Sequence, residues 1–252
     1  MSVTKTSTAN DILNRTAVEV GITPVQDPYG SSDPSFVKMR YLLNTAGEEL
    51  CLAWPWEFLE AATNINNVDN PPTGEPDFAL PDDFLYMINQ TQWDKDKRVP
   101  IGGPLSPQEW TYLKGRNLAQ NTIYVSYRIT NGKIAFFPTP EGTYDYDYEY
   151  IKKNWVIHED ENNPGTFVEK DEVLTGADVV IFDKTLISRY LKLKFLESSG
   201  FDTTKAQDDL NQTFSFLTGF DKAAPILQAG GGSKAFPYLS LWNTPDTGFG
   251  IS

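Results

Sequence analysis

A stretch near the N-terminus, residues 33–58, combines the start and stop signals of a helix. Asp33 can accept a hydrogen bond from a free N–H group of the first turn, and Pro34 suits the first helical position because its missing N–H group is not needed there. Pro55 cannot continue a helix, and it moves the preceding Trp54 out of the helical region. We therefore predict a long helix that ends at a rigid Trp-Pro-Trp corner, where the chain changes direction.

This helix has one apolar face. Its large side chains recur at intervals of three, four or seven residues, and they are Phe36, Met39, Leu43, Leu50 and Trp54. The spacing places them on one stripe, which has to be buried against other elements. Three further amphipathic segments, residues 8–20, 177–199 and 203–220, are the predicted partners. Together the four helices predict an antiparallel bundle.

The ends of these segments carry their own signals. Thr8, followed by Asp11, resembles a capping box at the start of the first segment. Gly200 is placed to end the third segment in a left-handed conformation. Val179 and Phe182 are predicted to lie on the apolar face of that third helix.

Residues 57–170 have the composition of strands and turns. Asn131-Gly132 separates two alternating runs, which is the strongest short signal for a hairpin with a type I′ turn. Ser106 and Glu109 form a capping box at the start of one short helix. The segment therefore predicts a β-rich region that contains a single short helix.

Residues 144–150 alternate tyrosine with aspartate or glutamate, so a strand would carry tyrosines on one face and carboxylates on the other. One interpretation is a half-buried strand with a solvated acidic face, and the other is a carbohydrate-stacking platform or a carboxylate site. Residues 92–100 predict another strand, anchored by Trp93. Residues 155–167 predict an acidic loop with His158 on the surface.

The C-terminal segment has an unusual composition for a tail. It begins with the flexible linker sequence Gly-Gly-Gly-Ser at residues 230–233. The large apolar residues beyond it include Phe236, Tyr238, Leu239, Leu241, Trp242 and Phe249. Solvated tails are poor in aromatic residues, so we predict a docking arm that becomes ordered on a partner. The alternative is a tail folded back on its own domain.

These elements predict an α+β fold: an antiparallel bundle of about four helices with an inserted β-rich domain and an extended C-terminal arm. The predicted division is residues 1–56 for the N-terminal helices, 57–170 for the inserted domain, 171–228 for the C-terminal helices, and 229–252 for the linker and arm. Trp54, Pro55 and Trp56 would form the structural joint between the bundle and the β-rich domain.

Composition excludes several functions. The net charge of −13 disfavours a nucleic-acid-binding protein, because a phosphate backbone is held by clustered Lys and Arg. One Cys and one His exclude most thiol, triad and zinc arrangements, so we predict no catalytic residue, no metal and no cofactor. Cys51 lies among apolar residues and is predicted to be buried. No apolar run approaches the about 20 residues of a membrane span, and no secretory signal is present, so we expect synthesis in a cytosol.

Several segments resemble one family of phage proteins. These segments are Asn10-Asp11-Ile12-Leu13, Gly21-Ile22-Thr23-Pro24, Leu42-Leu43-Asn44, Glu48-Glu49, Trp54, Trp56-Glu57-Phe58, Leu80-Pro81-Asp82-Asp83-Phe84-Leu85 and Gly103-Pro104-Leu105-Ser106-Pro107-Gln108-Glu109-Trp110. They are similar to head-to-tail adaptors, or connectors, of short-tailed bacteriophages, often called tail tubular protein A. The resemblance covers most of residues 10–200, and its motifs are structural.

The resemblance implies a non-enzymatic virion protein at the head–tail junction, made in the host cytoplasm. It implies a homo-oligomeric ring, expected to be a dodecamer, beneath the portal protein. The ring would extend the channel through which DNA is ejected without specific binding, and it would support a tail nozzle or tail tube. The C-terminal arm would reach the portal, and no membrane would be involved.

Two alternatives remain open at this point. A carbohydrate- or protein-binding module would use the tyrosine face of residues 144–150. A hydrolase would use two of the many carboxylates, for which the sequence shows no arrangement across a cleft.

Overall fold

The computed structural model describes residues 7–66, 77–116, 124–140, 142–160 and 165–221. The α-helices of this part are α1 (Ala9–Glu19), α2 (Pro34–Ala53), α3 (Pro107–Arg116), α4 (Lys184–Ser199) and α5 (Thr204–Asp221), with a short 3₁₀ helix at Glu57–Leu59. The strands are β1 (Ser7–Thr8), β2 (Glu60–Asn66), β3 (Asp77–Ala79), β4 (Phe84–Met87), β5 (Trp93–Asp94), β6 (Val99–Pro100), β7 (Ser126–Thr130), β8 (Lys133–Phe137), β9 (Asp145–Lys152), β10 (Val156–Glu159), β11 (Phe167–Lys170) and β12 (Val179–Val180). All pairings between these strands are antiparallel. The predicted mixture of helices and antiparallel strands is confirmed.

The long helix predicted from the Asp33-Pro34 signal is α2. The Asp33 carboxylate accepts a hydrogen bond from the Ser35 N–H at 2.7 Å, and Pro34 is the first residue of the helix. The helix ends at Ala53, and the next residue, Trp54, is extended with φ −155° and ψ 143°. Four members of the predicted stripe are buried, namely Phe36, Met39, Leu43 and Leu50, whereas Trp54 is half-buried.

Helix α4 begins later than the sequence predicts. Val179 lies in β12, and the buried Phe182 precedes the helix. The helix starts after Asp183, whose carboxylate accepts hydrogen bonds from the N–H groups of Thr185 at 2.8 Å and Leu186 at 3.3 Å. Placing Val179 and Phe182 on this helix was therefore wrong, although Phe182 does belong to the buried core.

Helix α4 lies at the centre of the helical part and packs against α1, α2 and α5. These four helices share one hydrophobic cluster, which also includes Ile151, Trp155 and Val156 from the end of β9 and the start of β10. Trp155 lies against Gly47 of α2. A Cβ added at Gly47 would lie 2.2 Å from Cζ2 of Trp155. The glycine thus lets the indole ring lie directly on the helix backbone.

Three sheets make up the rest of the described chain. The first has the strand order β1-β12-β10-β11, and the third has the order β3-β8-β7. In the second, with the order β2-β9-β5-β6, strand β4 also pairs with β9. The β7–β8 hairpin turns at Asn131 and Gly132, whose φ angles of 53° and 70° confirm the left-handed turn expected from the Asn-Gly pair.

Two further expectations were wrong. Residues 92–100 form the β5–β6 hairpin rather than one strand, and Asp94 closes its turn by accepting a hydrogen bond from the Lys97 N–H at 3.0 Å. Residues 155–167 are not a loop in the described part, because β10 and β11 pair there. Phe167, the last residue of this segment, pairs with Glu159 of β10.

Candidate functional site

The Trp-Pro-Trp corner is where α2 passes into the β-rich part of the chain. Beyond Trp54 the chain doubles back tightly, and the Trp56 N–H donates to the Trp54 carbonyl at 2.9 Å. The Trp56 indole Nε1 donates to the carbonyl of Leu50, one turn before the end of α2, at 2.8 Å. The second tryptophan therefore satisfies one of the free carbonyl groups at the helix C-terminus.

The corner is also bonded to the end of α5. The Asp221 carboxylate accepts hydrogen bonds from Trp54 Nε1 at 3.2 Å and from the Glu57 N–H at 3.1 Å. Asp221 is 9% exposed and is the last residue of α5. The predicted joint is therefore bonded to the last described residue of the chain.

Aromatic rings surround Trp56. Its ring stacks on Phe58, with centroids 5.7 Å apart. It meets the edges of Phe182 and Phe214 at 5.9 and 5.8 Å. Such packing stabilises beyond the area that it buries. Trp56 is only 2% exposed, so its ring serves as an anchor between α2, the segment that precedes α4, and α5, and it offers no open face to a ligand.

A second polar network joins α2 to α4. Glu49 of α2 accepts hydrogen bonds from the Tyr190 hydroxyl and, at 2.8 Å, from Lys194 Nζ. Burial by itself would raise the pKa of Glu49, but the bonds from Lys194 and Tyr190 outweigh it and lower the pKa. The carboxylate therefore stays ionised and fixes the two helices in register.

The alternating tyrosines of β9, together with Tyr144 just before it, face inward. Tyr144, Tyr146, Tyr148 and Tyr150 are each at most 6% exposed and belong to a second hydrophobic cluster with residues of β7 and β8. Burial raises the pKa of Tyr148 to about 12. The carbohydrate-stacking interpretation is wrong, because these rings are covered by the protein's own core.

The opposite face of β9 carries the carboxylates, and the structure pairs them. Asn64 of the neighbouring β2 donates to Asp145 and, at 2.6 Å, to Asp147. Lys95 forms an ion pair with Asp147. This agrees with the structural interpretation of the alternating strand, in which the acidic face lies towards solvent.

His158 is not on the surface, contrary to expectation. It lies in β10, is 9% exposed, and its Nδ1 is 2.7 Å from an oxygen of Asp178. The Asp178 carboxylate also accepts from the N–H groups of Leu174 and Thr175 and from the Thr175 hydroxyl. Burial would raise the pKa of Asp178, but the bonds from Thr175, His158 and Leu174 lower it. The run of three consecutive apolar residues, Trp155, Val156 and Ile157, was the available signal for this strand.

Other predicted features can be placed more briefly. Cys51 is buried, as predicted, and its pKa is raised to about 12, chiefly by burial. The arm residues Phe236, Tyr238, Leu239, Leu241, Trp242 and Phe249 lie outside the described residues. Within the described ranges, no group of three or more His, Cys, Asp or Glu side chains is arranged to hold a metal ion.

No helix in the described part of the chain has both the length and the apolar character needed to cross a membrane.

Comparison with known proteins gives one family. Residues 7–184 match the model of a family described as SU10 adaptor protein. No curated protein matches the sequence. The matched region contains α1, α2 and the Trp-Pro-Trp corner together with every strand named above.

Proposed function

The chain belongs to the SU10 adaptor protein family, and we propose that it assembles as a ring beneath the portal of a bacteriophage. The family match confirms the resemblance to phage head-to-tail adaptors. It gives the chain a structural role at the head–tail junction of the virion. The match over residues 7–184 is the single observation that carries the proposal.

The finer proposal is a non-enzymatic connector similar to tail tubular protein A. A dodecameric ring would extend the DNA channel below the portal and present a platform to a tail nozzle or tail tube. The charge of the chain supports this role, because a net charge of −13 repels the DNA phosphates. Genome ejection requires a channel wall that DNA passes without binding.

Within each copy, we propose that residues 1–56 and 171–228 supply an antiparallel helical bundle and that residues 57–170 form an inserted β-rich domain. Two separate hydrophobic clusters, one mainly helical and one whose buried residues all lie within residues 65–150, support this division. Trp54, Pro55 and Trp56 would be the joint that sets the direction of the β-rich domain. Their bonds to Leu50 and Asp221 support that assignment.

We propose that residues 229–252 form the arm that docks on the portal. The aromatic residues beyond the Gly-Gly-Gly-Ser linker support the proposal, since a solvated tail would not need them. The arm begins eight residues after Asp221, which the corner holds at two points. The end of α5 that precedes the arm would therefore be fixed relative to the corner.

Deletion of residues 230–252 tests the arm. We expect the shortened chain to keep the circular dichroism spectrum and the melting temperature of the full chain, and to lose co-sedimentation with portal rings. A matched control replaces residues 234–252 with a Gly/Ser sequence of equal length, which keeps the chain length but removes the aromatic residues. Portal binding that survives both changes would contradict the role of the arm.

A further inference from the structure

The outer face of the second half of α5 is uncharged and exposes two phenylalanine rings. It consists of residues that recur at helical spacing and are all exposed, namely Gln212, Ser215, Phe216, Gly219 and Phe220. Phe216 is 64% exposed and Phe220 is 73% exposed, and their ring centroids are 4.7 Å apart. Residues 210–220 contain no charged side chain, although 22% of the whole chain is charged. We call this surface the α5 outer face.

This composition is that of an interface rather than of a solvated helix surface. A helix face turned to water normally carries charged residues, whereas the centre of a protein interface is depleted in charge and enriched in aromatic residues. Ser215 and Gly219 lie one turn apart beside the two rings. Their small size leaves room for a partner to approach the helix backbone next to the phenylalanines.

The position of the face indicates which partner covers it. Phe220 is followed by Asp221, which the corner holds through Trp54 and Glu57. The low charge continues beyond this point, because residues 222–252 contain only Lys222, Lys234 and Asp246 as charged residues. The α5 outer face and the proposed arm therefore both contain few charged residues and lie close together in the sequence.

We propose that the α5 outer face docks on an apolar surface of the portal protein, next to the place where the same copy's arm binds. This inference rests on the proposed function, since it takes the portal as the partner of the arm. The face lies on a formed helix, so it loses little conformational entropy on binding, and the arm supplies the remaining contacts with the portal. The portal is the expected occupant because the arm, which is proposed to bind the portal, begins only nine residues after Phe220 in the sequence.

Binding of the full chain to purified portal rings of the phage that encodes it tests the proposal. The double substitution Phe216→Ser with Phe220→Ser is expected to weaken binding by about tenfold or more, as for central aromatic residues of an interface. The matched control is Tyr41→Ser with Leu52→Ser, which removes two side chains of α2 that are 74% and 63% exposed. The control should bind the portal as the unchanged protein does.

A third variant separates binding from folding. Gly219→Lys adds a charge to the face, and no atom lies within 4 Å of the added Cβ. Lysine favours a helix more than glycine does, and its charge suits the last turns of a helix. We therefore expect an unchanged or higher melting temperature together with weaker portal binding.

Each outcome has a distinct meaning. Weaker portal binding by the Phe216/Phe220 and Gly219 variants, with an unchanged control, supports the proposal. Equal binding by all variants overturns it and leaves the proposed function intact. Failure of the unchanged chain to bind portal rings overturns the proposed function itself. Loss of ring formation with retained portal affinity identifies the face as a contact between copies, which also overturns the proposal.

Discussion

Replacing Asp221 by alanine removes the carboxylate that bonds the end of α5 to the Trp-Pro-Trp corner. Two donors lose their acceptor, namely Trp54 Nε1 at 3.2 Å and the Glu57 N–H at 3.1 Å. Asp221 is 9% exposed, so water does not reach this site freely in the folded protein. We expect a lower free energy of unfolding because the folded state keeps two donors without a good partner.

The size of this loss in the free energy of unfolding follows from the two hydrogen bonds to Asp221. A hydrogen bond to a charged group contributes about 1.5–3 kcal/mol, and the lower half of that range applies because Trp54 is half-buried and water partly replaces the lost acceptor. The expected loss is therefore about 3 kcal/mol in total. For a protein of this size, such a loss lowers the melting temperature by about 6–12 °C.

Urea unfolding measures this loss. Asp221→Ala is compared with Trp54→Phe, which keeps an aromatic ring but removes the indole N–H, and with the double variant. Because both single changes break the same bond, we expect their effects to be non-additive by about 1 kcal/mol. Asp208→Asn, at an exposed position of α5, is the control and should change stability by less than about 0.5 kcal/mol. Additive effects, or an Asp221→Ala variant as stable as the control, would refute the bond between corner and helix.

Two further substitutions and one labelling experiment test the packing and charge of the fold. Gly47→Ala should lower the free energy of unfolding in urea by about 1–3 kcal/mol, because the new methyl group meets the Trp155 ring at 2.2 Å and this overpacking outweighs the gain in helix propensity. The Cys51 thiol, buried and with its pKa raised to about 12, should react with a thiol reagent at mildly alkaline pH only after unfolding. Asp178 has a lowered pKa in the folded protein, so its contribution to stability should be present above its ordinary pKa of 3.8 and lost as the pH falls towards the folded value. Asp178→Asn should therefore be less stable than the unchanged chain near neutral pH and lose less stability on acidification.

Each of these expectations has a contradicting result. A Gly47→Ala variant more stable than the unchanged chain would show that the Trp155 ring can move away from the new methyl group at little cost. Rapid labelling of Cys51 in the folded protein would contradict its burial. Equal acid sensitivity of the Asp178→Asn variant and the unchanged chain would show that other carboxylates control acid unfolding.

The features that the sequence predicts correctly are those whose physical cause is local. Asp33 and Pro34 start α2 because a side-chain acceptor and a missing N–H group both satisfy the helix end within a few residues. The capping box of α3 is confirmed by reciprocal bonds between Ser106 and Glu109 at 2.8 and 3.3 Å. Gly200 ends α4 with φ 73°, where a residue with a side chain would be strained.

The errors arise where distant residues decide the structure. His158 has a polar, acidic neighbourhood in the sequence, but Asp178 provides its buried partner after the chain returns through β11. Val179 fits a helical stripe by spacing, yet its pairing with Ile157 and Thr8 makes it a strand residue. Hydrophobic spacing over a short run cannot separate a helix from a strand in these cases. It indicates which residues are buried, but not which strand they pair with.

The candidate site was predictable in part. Trp54, Pro55 and Trp56 stand out in the sequence because proline ends a helix between two large aromatic residues. The role of Asp221 was not visible, since 164 positions separate it from Glu57, whose N–H it accepts. The exposure of Phe216 and Phe220 was not predicted from the sequence.

Cryo-electron microscopy of the full chain mixed with portal rings tests the adaptor proposal most directly. We expect a second ring, coaxial with the portal and continuous with its channel, in which the C-terminal end of each copy lies on the portal side. The expected symmetry is that of a dodecamer. Portal rings without added density, or the protein remaining as separate monomers beside them, would contradict the account.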